Sequence, residues 1–570
     1  MGASAPVLLI LGPLMDKLKV LMCSEASFLS SGFAVYTKEI LSRLHKTKKY
    51  EIAEFASYGT VNDPRDSQIP WKYYANAVLD TDPRHKEYSS RGDNQFGRWR
   101  FEKVLLDFKP DVVIDVRDYW MSSYQALSPL RQYFHWILMP TVDSEPQQES
   151  WLDTYLSANA IFTYSDWGAD VLKKQTSNKV NYIGTAAPGV DLSVFKPHSQ
   201  ETKKAIKKAL NIDENAVIIG SVMRNQKRKL IPDLFLSFRK LLDICEKKHP
   251  ELGKNLYLYM HTSYPDAGWD IPHLLKEHRL ANRVLFTYFC RSCNRISARK
   301  FCGPTCGCPE CGEKSCHFPS VVAGVSSEQL SYIYNAFDAY VQYAICEGAG
   351  MPQVEAGACG VPVFTVEYSA MIDIINKLNA TGIKVKSKFK ELETKSVRTY
   401  PDNDDLVSKM LNYLLTDSDT KNKASQDIRS LTEKEYNWDQ TAKKWEDYLD
   451  QLDNSNYRAD WSAPPKMLNQ IPNIDKDQVG NRYFDLLMYF CNNNLQNYNK
   501  MSSMLFLDML KDLDYGFTTN GQTISSYGLS DALSLVATYI DNNNGSEKAR
   551  MQNIKFNDDF IEYAEMKGSS

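Results

Sequence analysis

Two Rossmann-like α/β domains facing one cleft, with a zinc-binding insertion in the second and a helical C-terminal appendage, are what this sequence predicts. Three observations carry that expectation. Short apolar runs alternate with amphipathic helical stretches in two successive series; seven cysteines crowd between Cys290 and Cys316; and the texture changes after Leu449.

At 570 residues the chain exceeds one hydrophobic core. Hydrophobic residues make up 43% and charged residues 24%, the balance of an ordinary soluble globular protein. A net charge of −3 supplies no global positive field, so a polyanionic partner would have to be met by local patches. The opening apolar stretch from Pro6 to Met15 is too short to span a bilayer. It lacks a basic leader and a small-residue cleavage site, so it does not read as a secretory signal. Met1-Gly2 would suit myristoylation, but Pro6 stands where Ser or Thr is needed. The chain reads as cytoplasmic, without a membrane segment, and with Met15 as an alternative start.

The first series opens with an apolar run at 19–24, a small-residue loop (Ser30, Ser31, Gly32) and a helical pattern at 35–44. Val35, Ile40, Leu41 and Leu44 share one face of that helix. The runs 111–116, 136–140, 159–164 and 180–183 are continuously apolar, as parallel strands covered on both faces are. The second series has a strand at Val217–Val222, a helix at 231–245, and strands at Leu256–His261, 284–287, 339–343 and 361–366. Residues 1–195 and 196–449 are therefore the expected domains, with a ligand cleft at the carboxyl ends of their strands. Residues 453–472 read as a polar linker, and 475–570 as helical, completing a third segment at 450–570.

The most informative segment runs from Glu347 through Gly348, Ala349, Gly350, Met351 and Pro352 to Glu355, then to Cys359-Gly360-Val361-Pro362-Val363. A strand ends, small residues form a loop, and a helix starts near Pro352. The glycines let the backbone approach a ligand, and the helix N-terminus offers unpaired N–H groups and a positive dipole. That is a diphosphate site in physical terms. The two carboxylates straddle it and can accept protons from hydroxyl groups on either side. With these features the segment resembles the donor motif of family-4-type retaining glycosyltransferases, and the resemblance extends over roughly 19–449.

The resemblance implies a GT-B fold and a nucleotide-sugar donor. It gives Glu347 the transferred sugar, Glu355 the nucleotide ribose, and the amides of Ala349, Gly350 and Met351 the phosphates, with Gly32 joining the donor set. It gives Arg224 and Lys229 to the donor diphosphate, where fixed cations stabilise the departing charge without reorganising. No catalytic divalent metal is then expected. Lys227 competes with Lys229 in register, and the alternative reading is a solvated basic loop that also holds Arg228. Residues 187–191 with Phe195 resemble the family's interdomain stretch, and 438–448 its closing helix, which crosses back to the first domain. The family's Thr-x-His is here Thr141-Val142-Asp143. Asp143 therefore joins Glu347, Arg224 and Lys229 as a catalytic candidate, or else caps a helix. His135 is expected to pack at a strand start. Asp80 and Asp82 form an Asp-x-Asp, the metal–nucleotide motif of the other large glycosyltransferase fold, but in a polar loop beside Pro83 that match is weak. By resemblance the reaction is front-side attack with retention, the donor phosphate taking the acceptor proton. Glu347→Ala is expected to stop transfer and leave the fold intact.

Cys290-x-x-Cys293, fourteen residues, then Cys308-x-x-Cys311 has zinc-ribbon spacing, four thiolates for one closed tetrahedral ion. Cys302, Cys306, Cys316 and His317 are candidates for a second. The insertion, 288–318, carries Arg291, Arg295, Arg299, Lys300 and Lys314 against Glu310 and Glu313, which suits a nucleic-acid module or a structural clasp. Arg98, Trp99 and Arg100 suit phosphate contact with base stacking, or inward packing at a helix start. The favoured acceptor is a hydroxymethylated pyrimidine in DNA, as in viral DNA-modifying glycosyltransferases, which would place the enzyme in a host cytoplasm. The alternatives are a glycan or protein acceptor in cell-surface polymer synthesis, and a non-catalytic zinc-module binding protein.

Overall fold

The computed structural model describes residues 17–452 except 129, 321–323 and 393, together with Trp461 and a short antiparallel pair, Thr518–Thr519 with Gln522–Thr523. Apart from those positions, the expected helical appendage and the segment before residue 17 lie outside the described residues.

Seven strands form the first sheet: β1 Leu18–Glu25, β2 Tyr50–Thr60, β3 Lys72–Ala77, β4 Val112–Arg117, β5 His135–Pro140, β6 Ala160–Thr163 and β7 Tyr182–Thr185. All are parallel, in the order β3-β2-β1-β4-β5-β6-β7. β4 is buried along its whole length, as its unbroken apolar run requires when helices cover both faces. The order reverses direction between β1 and β4, so the loops after these two strands open the crevice. Ser31 caps the helix Gly32–Thr47 by accepting from the Ala34 amide, which fixes one of those loops.

The second sheet has nine strands: β8 Val217–Val222, β9 Leu256–His261, β10 Val284–Cys290, β11 Ile296–Arg299, β12 Thr305–Cys306, β13 Cys316–His317, β14 Ala339–Gln342, β15 Val363–Val366 and β16 Thr381–Ile383. Its parallel part runs β10-β9-β8-β14-β15-β16, and the switch point lies between β8 and β14. That adjacency brings the loop after β8, with Arg224 and Lys229, against the loop after β14, with Glu347. β10 outruns the parallel part. Its later residues pair antiparallel with β11 on one side and β13 on the other, so the cysteine-rich insertion covers the sheet's exposed edge.

Two features join the halves. The helix Trp438–Asp450 returns to the first sheet, where Trp445 is fully buried. Its indole N–H donates to the Tyr36 hydroxyl at 2.8 Å and its ring lies 4.3 Å from Phe162. The second is a separate antiparallel hairpin, β17 Val385–Lys390 with β18 Val397–Pro401.

Candidate active site

The helix Met351–Ala358 begins with Gly350 at φ +80°, a left-handed conformation that favours glycine, and carries Pro352 in its first turn. The preceding loop holds Glu347, whose amide donates to Ser369 Oγ at 2.8 Å. The Glu347 carboxylate is 5% exposed. Its Oε1 accepts from Lys229 Nζ and from Gln342 Nε2 at 2.7 Å, and its Oε2 accepts from Arg228 Nη1 at 3.1 Å. Burial pushes the carboxyl pKa up, but the Lys229 and Arg228 charges outweigh it and hold the group at about 2. For Lys229, burial and the neighbouring Arg228 bring the ammonium down to about 8 against the pull of Glu347. Both partners are charged at neutral pH.

The register is thereby settled. Lys229 is buried in the site and Lys227 is exposed. Arg228 enters the site as well, a residue that sequence reasoning set aside as a flanking charge. Three consecutive cations, Lys227, Arg228 and Lys229, form one short turn, and nothing in the string says which point inward. Arg224 stands at the rim, half-exposed, its guanidinium on Asp266 Oδ2 at 2.7 Å and Oδ1 at 2.9 Å. Burial would raise the Asp266 pKa, yet the bonds from Arg224 and Ser263 bring it to about 2.

Glu355 sits two turns from Glu347 in different surroundings. It accepts one bond, from the Tyr334 hydroxyl at 2.7 Å, and burial lifts its pKa to about 7.

Both first-half loops meet the donor loop. A Cβ on Gly348 would fall 2.3 Å from Thr141 Cγ2, so only glycine lets Thr141 rest there. Gly32 faces Met351 Sδ at contact distance, 3.8 Å from its own would-be Cβ, and Ala349 and Met351 pack on the first half's core.

Asp143 is not a helix cap, since Gln148 caps the next helix, Glu149–Ser157. Its Oδ2 accepts from Cys346 Sγ at 3.2 Å and its Oδ1 from Arg398 Nη1 at 2.9 Å. Asp118, at the end of β4, was not singled out in the sequence. Burial lifts its pKa to about 6, with the Thr141 side chain bonded to it and Asp143 and Glu25 adding repulsion. His135 packs at the start of β5 against the Tyr448 hydroxyl at 3.0 Å, as expected. Asp82 is committed to Arg84 through both oxygens, at 2.9 and 2.7 Å.

The segment Arg98-Trp99-Arg100 corrects the stacking expectation. Trp99 is 7% exposed and its indole N–H donates to Asn76 Oδ1 at 2.9 Å, so it offers no stacking face. Arg98 pairs with Asp93 at 2.8 Å, and Arg100 donates to Ala75 O at 2.7 Å. These are inward clasps.

The Sγ atoms of Cys290, Cys293, Cys308 and Cys311 all lie within 4.8 Å of one another. The Cys290–Cys311 and Cys293–Cys308 separations are 3.6 and 3.7 Å. Tetrahedral Zn–S bonds of ~2.3 Å give edges of about 3.8 Å, so the four thiols fit a zinc ion. The second set does not assemble among the described residues. His317 spends both ring nitrogens, Nε2 accepting from Arg291 and Nδ1 bonded to Phe318 O, each at 2.7 Å. The insertion's cations are largely turned to its own use. Arg295 pairs with Glu310 at 3.3 Å and Arg299 donates to Gly307 O at 2.6 Å.

Residues 320–431 match the family model for glycosyl transferases group 1, a stretch that contains the whole segment from Glu347 to Glu355. No curated protein matches the chain. Among solved structures it is similar to sucrose-phosphate synthase from Thermosynechococcus elongatus, at 17% identity and a TM-score of 0.54 over 76% of this chain and 99% of that one. A glycosyltransferase from Rickettsia africae ESF-5 is similar at 14% identity and a TM-score of 0.52, over 77% and 100% of the two chains. Trehalose-6-phosphate from E. coli bound with UDP-2-fluoro glucose follows at 12% identity and 0.50, again over 77% and 100%. At such identities the likeness establishes the fold, which is GT-B. With a group 1 domain on its second half, the chain is a nucleotide-sugar-dependent glycosyltransferase. No helix among the described residues is long and apolar enough to cross a membrane.

Proposed function

We propose that the chain moves a hexosyl or pentosyl group, with retention, from a nucleoside diphosphate sugar to an acceptor hydroxyl. The observation that carries this is Glu347, kept anionic by Lys229 and Arg228 beside a glycine-started helix and opposite the first half's Asp118 and Asp143. The helix N-terminus and Lys229 meet the diphosphate, with Arg224 at the rim; Glu347 orients the sugar; Glu355 takes the ribose. Charge that develops on the leaving diphosphate finds cations already in place. UDP-glucose is the first donor to try, because the E. coli relative carries UDP-2-fluoro glucose.

For the acceptor, the surroundings of the first half's loops favour a carbohydrate. Glu25, Asp118 and Asp143 present carboxylates, which accept from sugar hydroxyls and repel a phosphate backbone. Next to Asp118, Trp120 is 52% exposed and Tyr119 stacks on Trp151 at 5.2 Å, flat faces that suit sugar rings. The hydroxymethylated pyrimidine in DNA keeps as its support the basic residues of the cysteine-rich insertion. The Arg98-Trp99-Arg100 segment adds nothing to it. Four thiolates on zinc need reduced cysteines, which favours the cytoplasm.

The test is release of nucleoside diphosphate from a panel of nucleotide sugars, with oligosaccharides or hydroxymethylcytosine DNA as acceptors and the product's anomeric configuration read by NMR. Transfer to an oligosaccharide with retention is the expected result. Transfer only to DNA would replace the acceptor reading, inversion would remove the mechanism, and no turnover of any donor would leave the binding-protein alternative standing.

A further inference from the structure

The hairpin β17–β18 stands outside both large sheets, and the start of β18 is stitched to the loop that follows β5 in the other half. The Val397 amide donates to Glu145 O at 3.0 Å, and Ser396 Oγ donates to Pro146 O at 2.5 Å. Tyr368 reinforces the seam, its hydroxyl donating to Val397 O and accepting from the Glu145 amide at 3.5 Å. At the centre is Arg398, with a side chain 6% exposed. Its Nη1 donates to Asp143 Oδ1 at 2.9 Å, while Nε at 3.0 Å and Nη2 at 2.9 Å hold Glu391 Oε2. The planar fork is fixed from both sides, a geometry an ammonium would not reproduce. Asp143 in turn accepts from Cys346, the residue before Glu347.

An interior ion pair of this kind is weak evidence for stability, because desolvation cancels much of its attraction. Its position offers a different account. Thr141 rests on Gly348, and Asp118 is bonded to Thr141, so all three first-half groups at the reacting sugar belong to one connected piece.

We propose that Arg398 is a positioning residue for the transfer: acting through Asp143, it holds loop 141–146 in register with loop 346–348, so the hairpin is a strap that fixes the spacing between the two halves' reacting groups. The diphosphate cations and the helix start at Gly350 all lie in the second half, so donor affinity does not depend on the strap. The kinetic arm of the test rests on the proposed reaction; the exchange arm does not.

Four proteins are compared: wild type, Arg398→Ala, Arg398→Lys and Asp143→Ala, with the Arg398→Ala/Asp143→Ala double variant closing the cycle. A misplacement of about 1 Å is worth ~10²-fold in rate, so Arg398→Ala should lower kcat by about that factor. Its Kd for uridine diphosphate should change less than about threefold, the mark of lost positioning rather than lost binding. Arg398→Lys should recover part of the rate, and the double variant should be no worse than the poorer single one, because both remove one interaction. In ligand-free protein, hydrogen exchange at 143–147 and 396–399 should rise about tenfold in Arg398→Ala while the parallel strands stay protected. Should Arg398→Ala fail to fold, Arg398→Lys carries the same measurements with smaller changes. A kcat within about twofold of wild type, additive losses in the cycle, or unchanged exchange at 143–147 would each overturn the proposal.

Discussion

At the scale of single residues, Glu347 shows how a candidate ligand contact is also a structural charge. Removing it with alanine strands Lys229, itself nearly buried, without its counter-ion, at a cost of about 3–5 kcal/mol. The expectation that Glu347→Ala leaves the fold intact is therefore corrected, and Glu347→Gln is the cleaner variant. It keeps the volume and one acceptor. It should lose ~10²-fold or more in kcat with a melting temperature closer to wild type than that of the alanine variant. Equal turnover at saturating donor would remove Glu347 from the site. Glu355 gives the pH test. Its folded pKa of about 7 lies above the ordinary carboxylate range, so its burial costs stability above that pH and the cost is relieved as pH falls. Donor binding runs the other way, since ribose hydroxyls bond better to the carboxylate. Affinity for a nucleotide sugar, whose diphosphate does not titrate here, should fall from about pH 8 to about pH 6. In Glu355→Gln that limb should be flat, and a persistent limb would assign it to another group.

At the scale of elements, the strands that announced themselves are those buried on both faces. Val217–Val222 and Leu256–His261 are found with the bounds their apolar runs predict, and 339–343 differs by one residue. β2 was illegible because Glu54 interrupts it. That carboxylate is buried only because the Ser27 amide at 2.8 Å and the Trp71 indole at 2.9 Å satisfy it, partners no local pattern reveals. β17 and β18 failed for the opposite reason, since four lysines in and after β17 give no apolar signal and the hairpin's value lies in partners across the cleft. The donor loop could be read because its chemistry is local in sequence; Arg398 and Asp118 could not, because theirs is local only in space. The cysteine-rich insertion was legible in spacing, though its role as an edge cover was not. Cys290 ends β10, so Cys290→Ser or Cys308→Ser should remove one zinc per chain and loosen 288–318 without melting the parallel strands. Zinc is worth on the order of 10 kcal/mol in isolated fingers, ample to order a short insertion. Elemental analysis and hydrogen exchange check this, and wild-type protein purified without chelator but free of zinc would sink it.

At the scale of the whole molecule, the two halves share one cleft and divide its electrostatics, cations from the second and carboxylates from the first. Because Arg224, Arg228 and Lys229 already supply positive charge to a leaving diphosphate, added divalent metal should not be required. A brief EDTA titration should leave the initial rate nearly unchanged. Immediate loss restored by magnesium would bring Asp80 and Asp82 back into consideration. The halves also share a core. Trp445→Ala, far from the cleft, should destabilise the first half by about 3–5 kcal/mol, read as an early transition in thermal unfolding while zinc stays bound. A single unshifted transition would mean that the returning helix is merely docked.

That shared core constrains the order in which the protein can be made. The first seven strands are complete once residue 185 has been synthesised, yet the face of that sheet against Tyr36 and Phe162 waits for Trp438 and Trp445. At ~5–20 residues per second, the roughly 250 intervening residues take about 12–50 s to emerge. Throughout that interval a nascent chain carries an apolar groove whose natural occupant does not yet exist. Chaperone capture of ribosome-bound chains should therefore persist until the helix Trp438–Asp450 leaves the exit tunnel, and end abruptly when it does.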